Sequence, residues 1–338
     1  MASAGYRVAV VGATTPSGSE LIRILEERNF PVRELVPFVT NGSLDKSTQY
    51  REEGLPLQEL KPGAFTGIDI SFFTADEKTS REFVRQAQAQ GSLVIDTSPV
   101  FRLDRDIPLV VPEINADAIT GRRGIIASPS PSTIQLVLSL MPIHRKATVK
   151  RVIVSVYEAI SDAGETAMNE LTEQIADLFN FNEARSQVFP HQIAFDAVPQ
   201  TGLFLDNAYT SEELQIVTET KRIMADEGIR ICATTAYIPV FFSHSLSVNI
   251  ETERKIDPDA ARKLLEGAPG IVVEDNPAAG VYPLAVYATG KDECFVGRIR
   301  QDLSVETGIA LWSAMDNIRK GTALNAVQIA EHAMSMAG

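Results

Sequence analysis

The chain has 338 residues, 44% of them hydrophobic and 22% charged, a length that suits about two domains of ~150 residues each. Lys and Arg number 31 against 44 Asp and Glu, a net charge of −13. A surface this acidic repels phosphate backbones and anionic headgroups, so nucleic acid and membrane are excluded as natural partners. The two cysteines make no disulfide framework, no apolar run reaches the ~18 residues of a membrane span, and Met1 to Tyr6 shows no leader pattern, so a reducing, cytoplasmic setting is expected.

In chain order, residues 7–11 (Arg-Val-Ala-Val-Val) are a β-branched run ended by Gly12 and predict a buried strand. Residues 20–28 predict an amphipathic helix. Further strands are predicted at 68–73, 92–96, 109–111 and 125–127, with helical stretches between them such as 80–89. Apolar strands alternating with helices imply a doubly wound parallel sheet, so residues up to about 130 read as a nucleotide-binding domain. The pattern then changes. Residues 151–158 predict a long strand, and Met168, Leu171, Ile175 and Leu178 mark one face of a helix. Residues 211–224 predict a helix opened by a capping box of Thr210 and Glu213, and residues 230–237 a strand. In 245–251, Leu246, Val248 and Ile250 alternate with polar residues, as in a strand with one wet side. Asp257-Pro258 opens a helix to Glu266. Residues 284–287 and 294–300 predict strands, and 322–336 a helix.

Gly12-Ala13-Thr14-Thr15-Pro16-Ser17-Gly18 occupies the strand-to-helix turn where a dinucleotide fingerprint belongs. That fingerprint uses three glycines, for the turn, for pyrophosphate approach and for helix packing. The first and third are present. The middle one is Thr15, and Pro16 has no N–H to donate. Two readings stand side by side: a weakened dinucleotide site, or a turn kept for the fold. No acidic ribose ligand follows the second strand; Thr40, Asn41, Ser43 and Lys46 are the groups there that could meet a 2′-phosphate.

Across nearly its whole length the chain resembles the aspartate-semialdehyde dehydrogenase family. The resemblance rests on Val10-Val11-Gly12-Ala13-Thr14, Leu25-Glu26-Glu27-Arg28-Asn29-Phe30-Pro31, Val111-Pro112-Glu113-Ile114-Asn115, Ser132-Thr133-Ile134-Gln135, Val296-Gly297-Arg298-Ile299-Arg300 and Asn325-Ala326-Val327-Gln328-Ile329. It implies an α/β fold: a Rossmann-like NAD(P)-binding domain (residues 1–130 with a returning C-terminal helix, 320–338) and an α+β dimerisation and substrate domain (131–319). The implied assembly is a homodimer. NADP would lie on Gly12, Thr14, Thr15, Gly18 and Asn325, with a weakened hold and no essential role.

The family reaction interconverts an acyl phosphate and an aldehyde through a thioester on a Cys in an Asn-Cys-Ser-Thr motif. The stretch here is Ser130-Pro131-Ser132-Thr133, so Pro131 stands at the nucleophile position and offers no nucleophilic atom. Ser130 as N-cap and Pro131 at the first helical position suit a purely structural helix start. Cys232 and Cys294, both in predicted strands, are expected to be small buried residues, and Ser132 lacks a placed base. The family's acid/base position is retained as His244, with Ser243 before it where the family has Gly. Among the implied substrate positions, Arg102 and Glu212 are kept. Four others change: Gln to Glu158, Gly to Asp162, Lys to Gln215 and Arg to Tyr237. Each of these four makes the site one charge unit more negative, against a substrate that carries a carboxylate and a phosphate. The chain thus resembles the non-catalytic, Usg-type paralogues of the family, with a role in binding an unidentified protein partner. The alternative is an NAD(P)-dependent oxidoreductase that takes a different substrate or works without a thiol.

Overall fold

The computed structural model describes residues 5–40 and 47–336. Asn41, Ser43 and Lys46, and the first four residues, lie outside the described residues. Thr40 is exposed at the end of the second strand. Among the described residues no helix is long and apolar enough to cross a membrane. The chain divides into two compact units, Met1–Ser130 with Thr322–Gly338, and Pro131–Gly321.

The first unit runs β1 (Tyr6–Val11), α1 (Pro16–Glu27), β2 (Val32–Val39), a hairpin of β3 (Ser47–Tyr50) and β4 (Glu53–Pro56), β5 (Gln58–Glu59), β6 (Ile70–Phe73), α2 (Glu77–Ala89), β7 (Leu93–Asp96), the one-turn α3 (Pro112–Asn115) and β8 (Gly124–Ala127). Six strands in the order β5-β2-β1-β6-β7-β8 pair parallel throughout. A parallel sheet covered on both faces needs strands apolar on both faces, which is why Ile70, Phe72, Phe73, Leu93, Val94 and Ile95 are all buried. Residues 109–111 depart from expectation. Leu109 makes only an isolated bridge to Ala127, and Val111 is the residue before α3. Pro112 holds its predecessor extended and then starts a helix, so the run is buried and apolar without being a strand.

The second unit runs α4 (Pro131–Ala147), β9 (Val149–Glu158), α5 (Glu165–Phe179), α6 (Ser211–Met224), β10 (Arg230–Tyr237), β11 (His244–Thr252), α7 (Pro258–Glu266), β12 (Ile271–Val273), the one-turn α8 (Ala285–Ala288), β13 (Cys294–Gln301) and β14 (Gly308–Met315). Its mixed sheet has the order β10-β9-β11-β14-β13-β12. Val152, Val154, Val156, Leu246, Val248, Ile250 and Leu311 form the buried face, against which α4, α6 and α7 pack. Ile153, Ser155, Tyr157, Ser247, Asn249 and Trp312 lie on the other face and remain partly accessible, with the rings of Tyr157 and Trp312 5.4 Å apart.

Local capping chemistry set two helices where the sequence put them. Thr210 Oγ1 accepts from Glu213 N–H at 3.2 Å and the Glu213 carboxylate accepts from Thr210 N–H at 2.8 Å at the start of α6. Asp257 Oδ1 accepts from Ala260 N–H at 2.8 Å at the start of α7. Residues 284–287 are not a strand. They form the N-cap and first turn of α8, with Leu284, Val286 and Tyr287 exposed. An apolar run here signals neither pairing nor burial.

After β14 a π-helical turn, Arg319–Leu324, leads into α9 (Asn325–Ser335). That helix packs within the first unit. Arg28 grips Glu331 through Nε and NH2 at 2.7 Å each, and Gln328 donates to Glu113 Oε1 at 3.0 Å.

Candidate active site

In the first unit the glycine turn is satisfied from within. Gly12 holds φ +86°, and a Cβ on Gly18 would sit 2.1 Å from the Gly12 carbonyl oxygen. These two glycines thus perform the turn and helix-packing roles. Thr15 is the N-cap of α1. Its Oγ1 accepts from Gly18 N–H at 3.0 Å and donates to Gly12 O at 2.9 Å. Pro16 then opens the helix. One donor that could face a pyrophosphate is therefore taken, another is missing, and Thr14 lies partly buried at the crest. Asn325 is fully buried. Its Nδ2 donates to Val110 O at 3.1 Å and to Ser128 Oγ at 2.9 Å, while its Oδ1 has no partner. Arg102, 7% exposed, sends Nε to Ser128 O at 3.0 Å and NH2 to Thr97 O at 2.6 Å.

In the second unit three neighbouring strands bring their ends together. Glu158 closes β9 and pairs in register with Tyr237, which closes the parallel β10. The antiparallel β11 begins at His244, and Ser245 stands opposite Tyr157. Helix α4 starts beside them. Pro131 is its first residue, and a Cβ on Gly321 would lie 2.7 Å from Pro131 Cβ, so the ring fills the space at the tip of the helix. One residue on, the buried Ser132 donates to Glu158 Oε1 at 3.5 Å. Gln135, one turn further, donates Nε2 to Ser313 Oγ at 2.9 Å and to His244 O at 3.4 Å.

His244 is 1% exposed. Its Nδ1 accepts from Ala159 N–H at 3.0 Å, which fixes the neutral ring as the tautomer with hydrogen on Nε2. That Nε2 has no hydrogen-bond partner, and Asp162 Oδ1 stands 3.6 Å away. Asp162 rides on a 3₁₀ turn, Ile160–Ala163, just before Gly164 and α5. On the other side, Ser243 is fully buried and holds φ +73°, a left-handed conformation that costs a side-chain-bearing residue about 1 kcal/mol. Two bonds keep it there: its N–H donates to Asn317 Oδ1 at 3.0 Å, and its Oγ is 2.8 Å from Thr289 Oγ1.

The site is acidic. Burial pushes the Glu158 carboxyl well above the usual carboxylate range; the charges of Asp162, Glu212 and Glu213 add to that, and the Ser132 hydroxyl opposes it. Burial likewise raises the Tyr237 phenol, helped by Asp162, Glu158 and Glu212, so it stays a neutral donor at neutral pH. Glu212 and Gln215 sit three residues apart on α6, hence on one face. Of the positions singled out in sequence, Ser132, Glu158, Asp162, Tyr237 and His244 are brought together, with the Glu212 charge acting on them. Arg102, the glycine turn and Asn325 belong to the first unit. Sequence reasoning missed that Asp162 faces the imidazole, because the two are far apart in the chain. It did hold the signal for Ser243: a glycine position in the resembled family marks a positive φ.

Neither thiol belongs to this cluster: Cys232 lies five residues before Tyr237 on β10, and Cys294 starts β13 at the same end of the sheet as His244 but two strands away, since Phe295 and Ser245 both pair with Ala314. Cys232 is exposed, against expectation. It sits mid-way along β10, whose edge position leaves alternate residues such as Arg230, Cys232 and Thr234 open. Cys294 is fully buried at the start of β13, and burial pushes its thiol up to about 12. A thiol reagent applied to the native protein is therefore expected to leave Cys294 unmodified until the chain is unfolded, as read by peptide mass mapping.

Two family descriptions match the chain: "Semialdehyde dehydrogenase, NAD binding domain" over residues 7–122 and "Semialdehyde dehydrogenase, dimerisation domain" over residues 140–320. The aspartate-semialdehyde dehydrogenase of Aquifex aeolicus is 47% identical over 331 residues, 97% of each chain. That of Legionella pneumophila is 43% identical over 327 residues, 96% of this chain and 94% of its own. The crystal structure of aspartate-semialdehyde dehydrogenase II from Vibrio cholerae superposes with a TM-score of 0.95 at 38% identity, covering 99% of this chain and 100% of that one. With a parallel nucleotide-binding sheet, a mixed second sheet and these matches along its length, the chain belongs to the aspartate-semialdehyde dehydrogenase family.

Proposed function

We propose that this protein is a cytoplasmic homodimer of the Usg type, a member of the family that does not carry out the thiol-dependent dehydrogenase reaction and acts instead by binding a partner or regulating it. The observation that carries the reading is Pro131 at the start of α4, packed on Gly321. Thioester chemistry needs a thiolate at that helix tip, where the dipole lowers its pKa, and proline brings no such atom. Ser132 is no substitute. It is buried, and its one contact with a candidate base, Glu158 Oε1, is long at 3.5 Å. The four substitutions at Glu158, Asp162, Gln215 and Tyr237 support the same conclusion independently. One charge pair at ~4 Å is worth about 4 kcal/mol near a protein surface, and the family substrate would lose several such attractions here.

The homodimer is supported by the dimerisation-domain match and by the partly accessible sheet face bearing Ile153, Tyr157 and Trp312. A retained but weakened hold on NADP is supported by the nucleotide-binding match and by a turn whose Gly18 donor is already used. The deciding assay mixes the protein with aspartate semialdehyde, NADP and phosphate. No turnover is expected; robust turnover abolished by His244→Ala defeats the reading.

A second reading draws on one observation, the buried His244 with its Nε2–H unpartnered. It makes the protein an NAD(P)-dependent oxidoreductase that needs no thiol, in which the carbonyl oxygen would be held by His244 Nε2–H as a hydrogen-bond donor and the Tyr237 hydroxyl would serve as the acid. Titration with NAD and NADP by thermal shift separates the two. A shift together with carbonyl-dependent loss of reduced-nicotinamide absorbance favours the oxidoreductase.

A further inference from the structure

The cluster at the ends of β9, β10 and β11 holds unspent bonding capacity of two kinds. Glu158 is 1% exposed, and its Oε2 has no partner. Oε1 has only the long contact from Ser132. Asp162 and Glu212 add negative charge beside it, and the family's Lys and Arg positions are Gln215 and Tyr237. An acceptor so buried and so surrounded calls for a cationic donor. Next to it, the residue after Glu158 fixes the His244 tautomer so that Nε2–H is a donor without an acceptor. Among the described residues no three His, Cys, Asp or Glu side chains converge closely enough to hold a metal ion, which points to an organic cation rather than a metal.

We propose that Glu158, Asp162 and His244 bind a small organic cation, with its ammonium or guanidinium nitrogen at the two carboxylates and a carbonyl or hydroxyl oxygen at His244 Nε2. This rests on the reading above, in that the site has ceased to take a doubly anionic substrate. The ligand must carry no carboxylate or phosphate of its own. Tyr237, a neutral phenol at the end of β10, offers a further donor to such an oxygen and no charge to an anion. Asp162 is the outer carboxylate, its side chain 32% exposed, and is the first that an arriving cation meets. Glu158 lies deeper: burial favours its protonated form, a cation placed beside it favours the charged one, and an anion there meets the charges of Asp162 and Glu212.

Three small probes isolate the two requirements. Glycinamide carries an ammonium and a carbonyl, glycine adds a carboxylate, and acetamide removes the cation. Calorimetric titration of the full-length protein is expected to give saturable binding of glycinamide at least about ten-fold tighter than of glycine or acetamide. Asp162→Asn, a substitution on a partly exposed turn that leaves the core untouched, and Glu158→Gln, which is isosteric, should each weaken glycinamide by about ten-fold with the circular dichroism spectrum unchanged. Equal binding of glycine, equal binding of acetamide, no saturation at all, or indifference to Asp162→Asn overturns the proposal. The semialdehyde assay is separate: turnover there defeats the functional reading, whereas no turnover combined with no glycinamide binding defeats only the cation site.

Discussion

Pro131→Cys on its own should leave the protein without measurable turnover of aspartate semialdehyde, whereas Pro131→Cys combined with Glu158→Gln, Asp162→Gly, Gln215→Lys and Tyr237→Arg should raise turnover at least about a thousandfold above the parent. The single variant restores a sulfur at the first residue of α4, where the helix N-terminus favours a thiolate. Its neighbours oppose that. Asp162, Glu212 and Glu213 act on Glu158, which is in contact with Ser132, the residue after the new thiol, and negative charges there push a thiol up and repel the substrate's own anions. Removing that repulsion and restoring two cations is what the other four substitutions do. Steady-state assay of both variants, with His244→Ala in the fivefold background as control, checks the result. Full activity of Pro131→Cys alone would show that the charge changes are irrelevant.

Glu158→Gln should stabilise the protein increasingly as pH rises, by about 1–3 kcal/mol at mildly alkaline pH, the cost of a charged acceptor left unsatisfied in the interior. The direction follows from linkage. The folded state holds the Glu158 proton above the ordinary value of 4.5. Its favourable contribution is fully present below that value and is lost as pH rises through the folded-state pKa. Glutamine keeps the shape and has no proton to lose, so wild type and variant should coincide in acid and diverge toward alkali. Urea unfolding across a pH series measures the divergence. Parallel curves would mean that Glu158 is ionised and neutralised in the fold.

The elements legible in sequence are those whose cause is local or periodic. Thr210 and Glu213 bond each other, and Asp257 accepts from Ala260 N–H while Pro258 opens the helix, so α6 and α7 lie where those residues said. Leu246, Val248 and Ile250 alternate because one face of β11 is covered and the other is not. Strand β14 went unread because its position between β11 and β13 buries nearly every residue, leaving no alternation to see. Residues 109–111 and 284–287 failed in opposite ways: one apolar run is buried without a ladder, the other is exposed on a single helical turn. At the site, the residue types were readable but their company was not. Asp162 meets His244 only because β9 and β11 pair, and Glu158 becomes a buried acid only because α4 and β10 close over it. Both are consequences of long-range pairing that no window of sequence contains.

The contact between Gly321 and Pro131 has a topological consequence. These are the last and first residues of the second unit, so that unit is an insert whose two ends touch, like a loop drawn tight at its neck. A segment closed this way can be lifted out of the gene. Joining Ser130 to Thr322 through a short linker should yield a free-standing nucleotide-binding lobe with α9 in place, and with it a direct means of weighing cofactor affinity apart from everything the insert contributes.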